Sequence, residues 1–186
     1  MDERRARPWY TARRTATARA GTRHAVVPFP MLTYATFSIT ARCSHSGQFG
    51  IAVATRVPAV GAAVPHLRAG VGAIASQATT NPYLGIDGLD LLAAGGSAAE
   101  VRDALVAWDP DIARRQFTIV DAAARVAAYT GVETQAYTGH RLGDGFAVAG
   151  NLLTGPEVLE AMAADFDAAP DTSLRQLRTG CTQLLR

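Results

Sequence analysis

Residues 36–42, Thr-Phe-Ser-Ile-Thr-Ala-Arg, place a hydroxyl side chain at every second position with apolar ones between. A period of two is the signature of a strand buried on one face, and no helix can use it. Ser44-His45-Ser46-Gly47 then reads as a turn, and Phe49 to Arg56 as the hairpin partner. A fold that begins this way must supply a sheet. Thr36, at the edge of the first strand, is also a chemical candidate: a threonine hydroxyl becomes a nucleophile when its own α-amine is free to take its proton.

The rest of the chain adds layers to that hairpin. Gly, Ala and Val dominate residues 60–80, and two short buried strands are expected there, near Ala62-Ala63-Val64 and from Val71 to Gln77. Small residues at this density allow close backbone approach. Asn81-Pro82 breaks the chain into a loop, and a helix is expected over residues 86–94, ended by Gly95-Gly96. Ser97 with Glu100 three residues on forms a capping box for a second helix, which runs to Trp108 and stops at Asp109-Pro110-Asp111. Strands are expected over 116–121, 125–130 and 146–152, and a last helix over 157–166 with Pro156 in its first turn. Strands, two helices, strands and a helix indicate a layered α+β fold with facing sheets and helices on their outer faces.

The 186-residue length suits a single domain, residues 35–186, preceded by an Arg-rich leader, residues 1–34. The chain has no lysine; all 18 of its basic residues are arginine. That excludes a lysine Schiff base, a lysine general base and a P-loop lysine. Residues 1–30 hold seven arginines against two acids, a balance of +5, whereas the remainder holds 11 against 14, a balance of −3. The basic charge belongs to the leader, so no nucleic-acid partner is indicated. The leader reads as an over-extended translation start with the true one at or near Met31, as a disordered tail or pro-segment, or as a targeting peptide. Arg13-Arg14 lacks the apolar run that an export signal needs. No segment is long and apolar enough for a membrane span, which leaves the cytoplasm as the default compartment. Cys43 and Cys181 follow no metal-ligand spacing, so neither a metal nor another cofactor is expected. Gly70-Val71-Gly72 lacks the third glycine and the following helix of a dinucleotide site.

Five polar residues stand in apolar surroundings: His66, Gln77, Asn81, His140 and Asn151. Each is either a core group satisfied by backbone or a donor toward a substrate or an oxyanion. Asp121 and Asp144 sit at turns, where aspartate serves the backbone.

The blocks Thr36 to Arg42, Gly50 to Arg56, Ala59-Val60-Gly61, Val64-Pro65-His66, Arg68 to Ala73 and Gln77 resemble domain-of-unknown-function family 1028, of the Ntn-hydrolase superfamily. The resemblance continues through Asn81-Pro82, Gly88-Leu89, Val120-Asp121, Ala128 to Gly131, Gly139-His140-Arg141 and Ala149 to Leu153, and covers most of residues 36–169. It implies a four-layer αββα sandwich of Ntn-hydrolase type and Thr36 as an N-terminal nucleophile acting on a small-molecule amide or peptide-like substrate. In that frame Gln77 and Asn151 are expected to act with Thr36 in catalysis. Arg56, His66, Asn81 and His140 are expected to contact substrate. A non-catalytic ligand-binding or inactive member of the same fold is the alternative, and self-association into a homo-oligomer stays open.

Three departures from the family pattern matter. Thr36 is not N-terminal: Met31-Leu32 precedes it, Leu32 is too large for simple methionine removal, and a free amine requires cleavage after Ala35. Arg56 stands where relatives more often carry lysine, and arginine keeps the charge but accepts no proton. Relatives continue past the last helix, whereas residues 174–180 match no expected block, so a C-terminal truncation or frameshift that bares a sheet edge is an expectation of the sequence.

Overall fold

The computed structural model describes residues 35–168. The leader, residues 1–34, and the tail with residues 174–180 and Cys181 lie outside the described residues. Eight strands and three helices follow in order: β1 (Thr36–Arg42), β2 (Phe49–Thr55), β3 (Pro65–Arg68), β4 (Gly72–Ala78), α1 (Pro82–Ala93), α2 (Ala98–Trp108), β5 (Arg115–Asp121), β6 (Val126–Thr130), β7 (Gly139–Gly143), β8 (Phe146–Asn151) and α3 (Glu157–Ala168). The strands form two four-stranded antiparallel sheets, ordered β2-β1-β8-β7 and β3-β4-β5-β6. The expected α+β class and the order of elements hold.

Strand alternation sorts the side chains. On one side of the first sheet Ile39, Ala41, Phe146 and Val148 pack under α3 with Leu159 and Met162. On one side of the second sheet Ile74, Phe117 and Ile119 pack under α1 and α2 with Leu84, Leu89, Val101 and Leu105. The opposite sides carry smaller or hydrogen-bonding residues, and there the sheets meet: the hydroxyls of Thr40 on β1 and Thr118 on β5 lie 2.8 Å apart. Burying one of these aliphatic side chains stabilises by roughly 1.5–3 kcal/mol, so two apolar clusters, one per sheet, carry the cohesion. Close approach of α1 to β4 requires glycine at 88, where a Cβ would stand 2.6 Å from Ile74 Cδ1.

The helix starts are fastened by side chains. The capping box at Ser97 and Glu100 forms as expected, and Asp121 at the end of β5 accepts from Ala98 N at 3.0 Å, tying α2 to its sheet. The helix α1 starts four residues earlier than the apolar pattern suggests. Asn81 is its N-cap and Pro82 its first residue, a position where the missing N–H costs nothing. The strand expected near 62–64 is displaced to Pro65–Arg68, because Val60–Ala62 forms a short 3-10 turn. The edge strand β7 is absent from the expected set. Its Gly-His-Arg-Leu-Gly carries no period-two apolar signal, and pairing with β8 defines it.

Two strand ends turn through backbone that L-residues seldom adopt. Ala78, after Gln77, has φ 68°, and Leu152, after Asn151, has φ 57°. Non-glycine residues in this region cost roughly 1–2 kcal/mol. Replacing Ala78 by glycine is therefore expected to stabilise the fold by roughly 0.5–1 kcal/mol. Urea unfolding of Ala78→Gly beside the parent chain checks this, and a loss of stability would show that the turn is not strained.

Candidate active site

Thr36 opens β1, opposite Thr55 on one side and Asn151 on the other. It is 8% exposed, and its Oγ1 lies 2.9 Å from Thr55 Oγ1. At the same end of the fold β8 finishes with Asn151, Gln77 is the last residue but one of β4, and β5 starts at Arg115 with Gln116 next. Gln116 is fully buried. Its Oε1 accepts from Gln77 Nε2 at 2.8 Å and from Asn151 Nδ2 at 3.1 Å. Its Nε2 reaches the carbonyl oxygens of Gly139 at 2.9 Å and Gly150 at 3.0 Å. Carbonyls only accept, so the carboxamide has one permitted orientation.

This orientation leaves defined groups over. Gln77 Nε2 and Asn151 Nδ2 each have two hydrogens and give one to Gln116; neither has a second partner among the described residues. Gln77 Oε1 and Ser38 Oγ are buried with no hydrogen-bond partner among the described residues. An unmade hydrogen bond of this kind costs about 1–3 kcal/mol. Strained turns directly after both Gln77 and Asn151 add to that cost, and such costs gather at functional positions. Among the described residues the cluster holds amides and hydroxyls and no ionisable side chain. It can donate to a carbonyl oxygen that gains negative charge, and it offers Thr36 Oγ1 no side-chain base.

His140 on β7 extends the network outward. Thr130 Oγ1 lies 2.9 Å from Gln116 Nε2 and 2.9 Å from His140 Nδ1. Burial pushes the His140 imidazole below its ordinary 6.5, and the Arg141 charge adds to the effect. A neutral ring with its proton on Nε2 accepts the Thr130 hydroxyl at Nδ1.

The fold thus brings Thr36, Gln77 and Asn151 to one end of the two sheets and links His140 to them, while the other expected residues stand apart. Arg56 is exposed one residue beyond β2 and makes no ion pair with a described residue. His66 sits on β3 with Nδ1 3.2 Å from Val64 O, its ring against Gly85 of α1. Asn81 caps α1 through Tyr83 N and donates to Asp109 Oδ2 at 2.9 Å, so its side chain is committed to structure. Burial pushes the Asp109 carboxyl up, but the bonds from Asn81, the Asp111 amide and Arg115 outweigh it and hold the group below the usual range. Gln116, Thr55 and Thr130 were not singled out by the sequence. The usable signal was a long amide and a threonine, Gln116 and Thr118, at alternate positions of an apolar strand. Among the described residues no group of three His, Cys, Asp or Glu stands close enough to hold a metal ion. No described helix is long and apolar enough to cross a membrane.

Residues 36–179 match the model of DUF1028, a family of unknown function. The match takes in residues 174–179, which the sequence reading left outside any block. Among solved structures the chain is similar to protein SPO2555 from Silicibacter pomeroyi, described with the same family, at 31% identity and a TM-score of 0.76. That similarity covers 80% of this chain and 66% of the other, so the chain spans just under two thirds of that protein's length. No curated protein matches the chain.

Truncating Gln116 to leucine strands two backbone carbonyls and two amide donors, and is expected to cost about 3–5 kcal/mol of unfolding free energy. Denaturant unfolding checks the figure, and a loss below about 1 kcal/mol would mean that the network is dispensable. The folded-state pKa of His140 lies below its unfolded one. Above the unfolded value both states are neutral and the residue contributes nothing to pH dependence. As pH falls through about 6.5 the unfolded chain binds the proton first, so stability declines until the folded value is passed. The slope of unfolding free energy between about pH 7.5 and 5.5 is expected to flatten in His140→Asn.

Proposed function

The chain belongs to the DUF1028 family, and from that premise we propose that it is an amidohydrolase of the N-terminal-nucleophile type, with Thr36 as nucleophile toward a small amide or peptide-like substrate. The observation that carries the reading is the convergence at the start of β1. Thr36 lies in register with Asn151, and Asn151 and Gln77 share Gln116 Oε1 as an anchor while each keeps an uncommitted N–H. Two facing sheets, with α1 and α2 packed on one and α3 on the other, support the finer reading of the fold as a four-layer αββα sandwich of Ntn-hydrolase type.

The chemistry follows from what the cluster lacks. With no side-chain base beside the Thr36 hydroxyl, the proton acceptor is the residue's own α-amine, whose reference pKa of about 7.7–8.0 suits neutral pH. Thr36 Oγ attacks the substrate carbonyl carbon while the amine takes the hydroxyl proton. The carbonyl oxygen gains charge and is met by the spare N–H groups of Asn151 and Gln77. The C–N bond breaks as the amine returns the proton to the leaving nitrogen, leaving an ester on Thr36. Water, deprotonated by the same amine, attacks the ester and releases the acid and the free hydroxyl. Arg56, exposed beside Thr55, suits a negative group on the substrate, and His140 holds the far end of the network. His66 and Asn81 receive no role.

The amine exists only after hydrolysis of the Ala35–Thr36 bond. With that bond intact the same cluster is a site for a ligand and not for turnover, which keeps the non-catalytic binding module as the second reading. Intact mass and N-terminal sequencing of the purified chain separate them, with a species beginning at Thr36 expected. On that species, hydrolysis of an amide panel is expected to fall by roughly a thousandfold or more in Thr36→Ala and to survive in Thr36→Ser. A processed chain whose activity ignores Thr36→Ala would overturn the hydrolase reading.

A further inference from the structure

At the opposite end of β1, six residues and about 20 Å from Thr36, the strand-connecting turns of both sheets border a cleft of about 710 Å3. Arg42, Gln48 and Phe49 line it from the first sheet, and Leu67, Arg68 and Ala122 from the second. Among the described residues no acidic one lines it. The two arginines differ in what they have to spare. Arg68 Nη2 pairs with Asp90 Oδ1 at 2.8 Å, and its Nη1 donates to Leu89 O. Arg42 forms no ion pair with any described residue. Its guanidinium rests on the β1–β2 turn at Gly47, where φ is +70° and a Cβ would stand 3.2 Å from Nη2. The turn therefore shapes the position of the cation, and a side chain there would push it out. Beside it stand Phe49 and the 45%-exposed Leu67, an apolar wall next to an uncompensated charge.

We infer that this cleft binds a small organic oxyanion, a carboxylate or phosphate carried on an apolar body, with Arg42 as the principal cation. A guanidinium offers paired N–H donors in a plane that fits either oxyanion, and the apolar wall takes the remainder of the ligand. The site is independent of the chemistry at Thr36, since it shares no residue with it and needs no free amine.

The test is a two-dimensional amide NMR titration of the full chain with phenyl phosphate, with phenylacetate and with the neutral phenylacetamide. Saturable millimolar shifts centred on Gly47 and Gly70 are expected with at least one anion and not with the amide; the tighter anion tells phosphate from carboxylate. Arg42→Gln is expected to weaken binding about fivefold, the worth of a partly exposed charge-assisted contact. Arg42→Lys, which keeps the charge but loses the paired donors, is expected to bind between the parent and Arg42→Gln. Arg68→Gln, whose charge is already spent on Asp90, is expected to lose less than Arg42→Gln. Thermal unfolding of each variant separates lost binding from lost folding. The proposal is overturned if neither anion shifts these glycines, if phenylacetamide binds as well, or if folded Arg42→Gln binds like the parent.

Discussion

One carboxamide holds the functional end of this protein together. Gln116 belongs to the second sheet, yet its Nε2 bonds carbonyls of Gly139 and Gly150 in the first, and its Oε1 gathers Gln77 from one sheet and Asn151 from the other. Because the oxygen side meets two amide donors and the nitrogen side meets two carbonyls, a flip would set the oxygen against both carbonyls and the nitrogen against both amides. Glutamate at this position would set its acidic oxygens against two carbonyls, and leucine would satisfy none of them. The ends of β4, β5 and β8 keep their mutual alignment through this one side chain.

The sheets are joined unlike the two sides of an ordinary sandwich. Bulky apolar residues point away from the seam into two separate clusters under the helices. The seam holds Ser38, Thr40, Ala73, Ala75, Ala147, Ala149 and Thr118, all small and all buried. Apolar contact is non-directional and tolerates sliding, whereas hydrogen bonds such as Thr40 to Thr118 do not. Cohesion thus comes from each sheet with its own helices, and the relative position of the sheets comes from a few directional bonds. A low-dielectric seam also strengthens every polar contact inside it, including those a substrate would make at Thr36.

Much of the fold was legible because its strongest elements obey simple periods. The hydroxyl alternation of β1, the capping box at Ser97 and the stop at Asp109 each act locally and survive into the structure. Where tertiary context decides, the sequence fell short. The strand β7 exists because β8 offers it a partner, and the Asn81-Pro82 pair starts a helix where the same letters also serve a loop. The site divides the same way. Thr36, Gln77 and Asn151 are polar residues at strand ends and drew notice. Gln116 did not, since a polar residue at the head of a strand is ordinary until the facing sheet is known. Asn81 and His66 have the residue types of a ligand contact, but the fold spends them on a helix cap and a helix contact.

Thr36 lies almost wholly buried at the foot of β1, in a chain with no lysine. A lysine-free chain has its α-amine as its sole primary amine, so amine-reactive reagents address a single atom per molecule. If the chain is cut after Ala35, that atom is the nitrogen of a threonine tucked between two sheets. Acylating reagents then become reporters of how open this end of the seam is, read as one mass increment with no background from other side-chain amines.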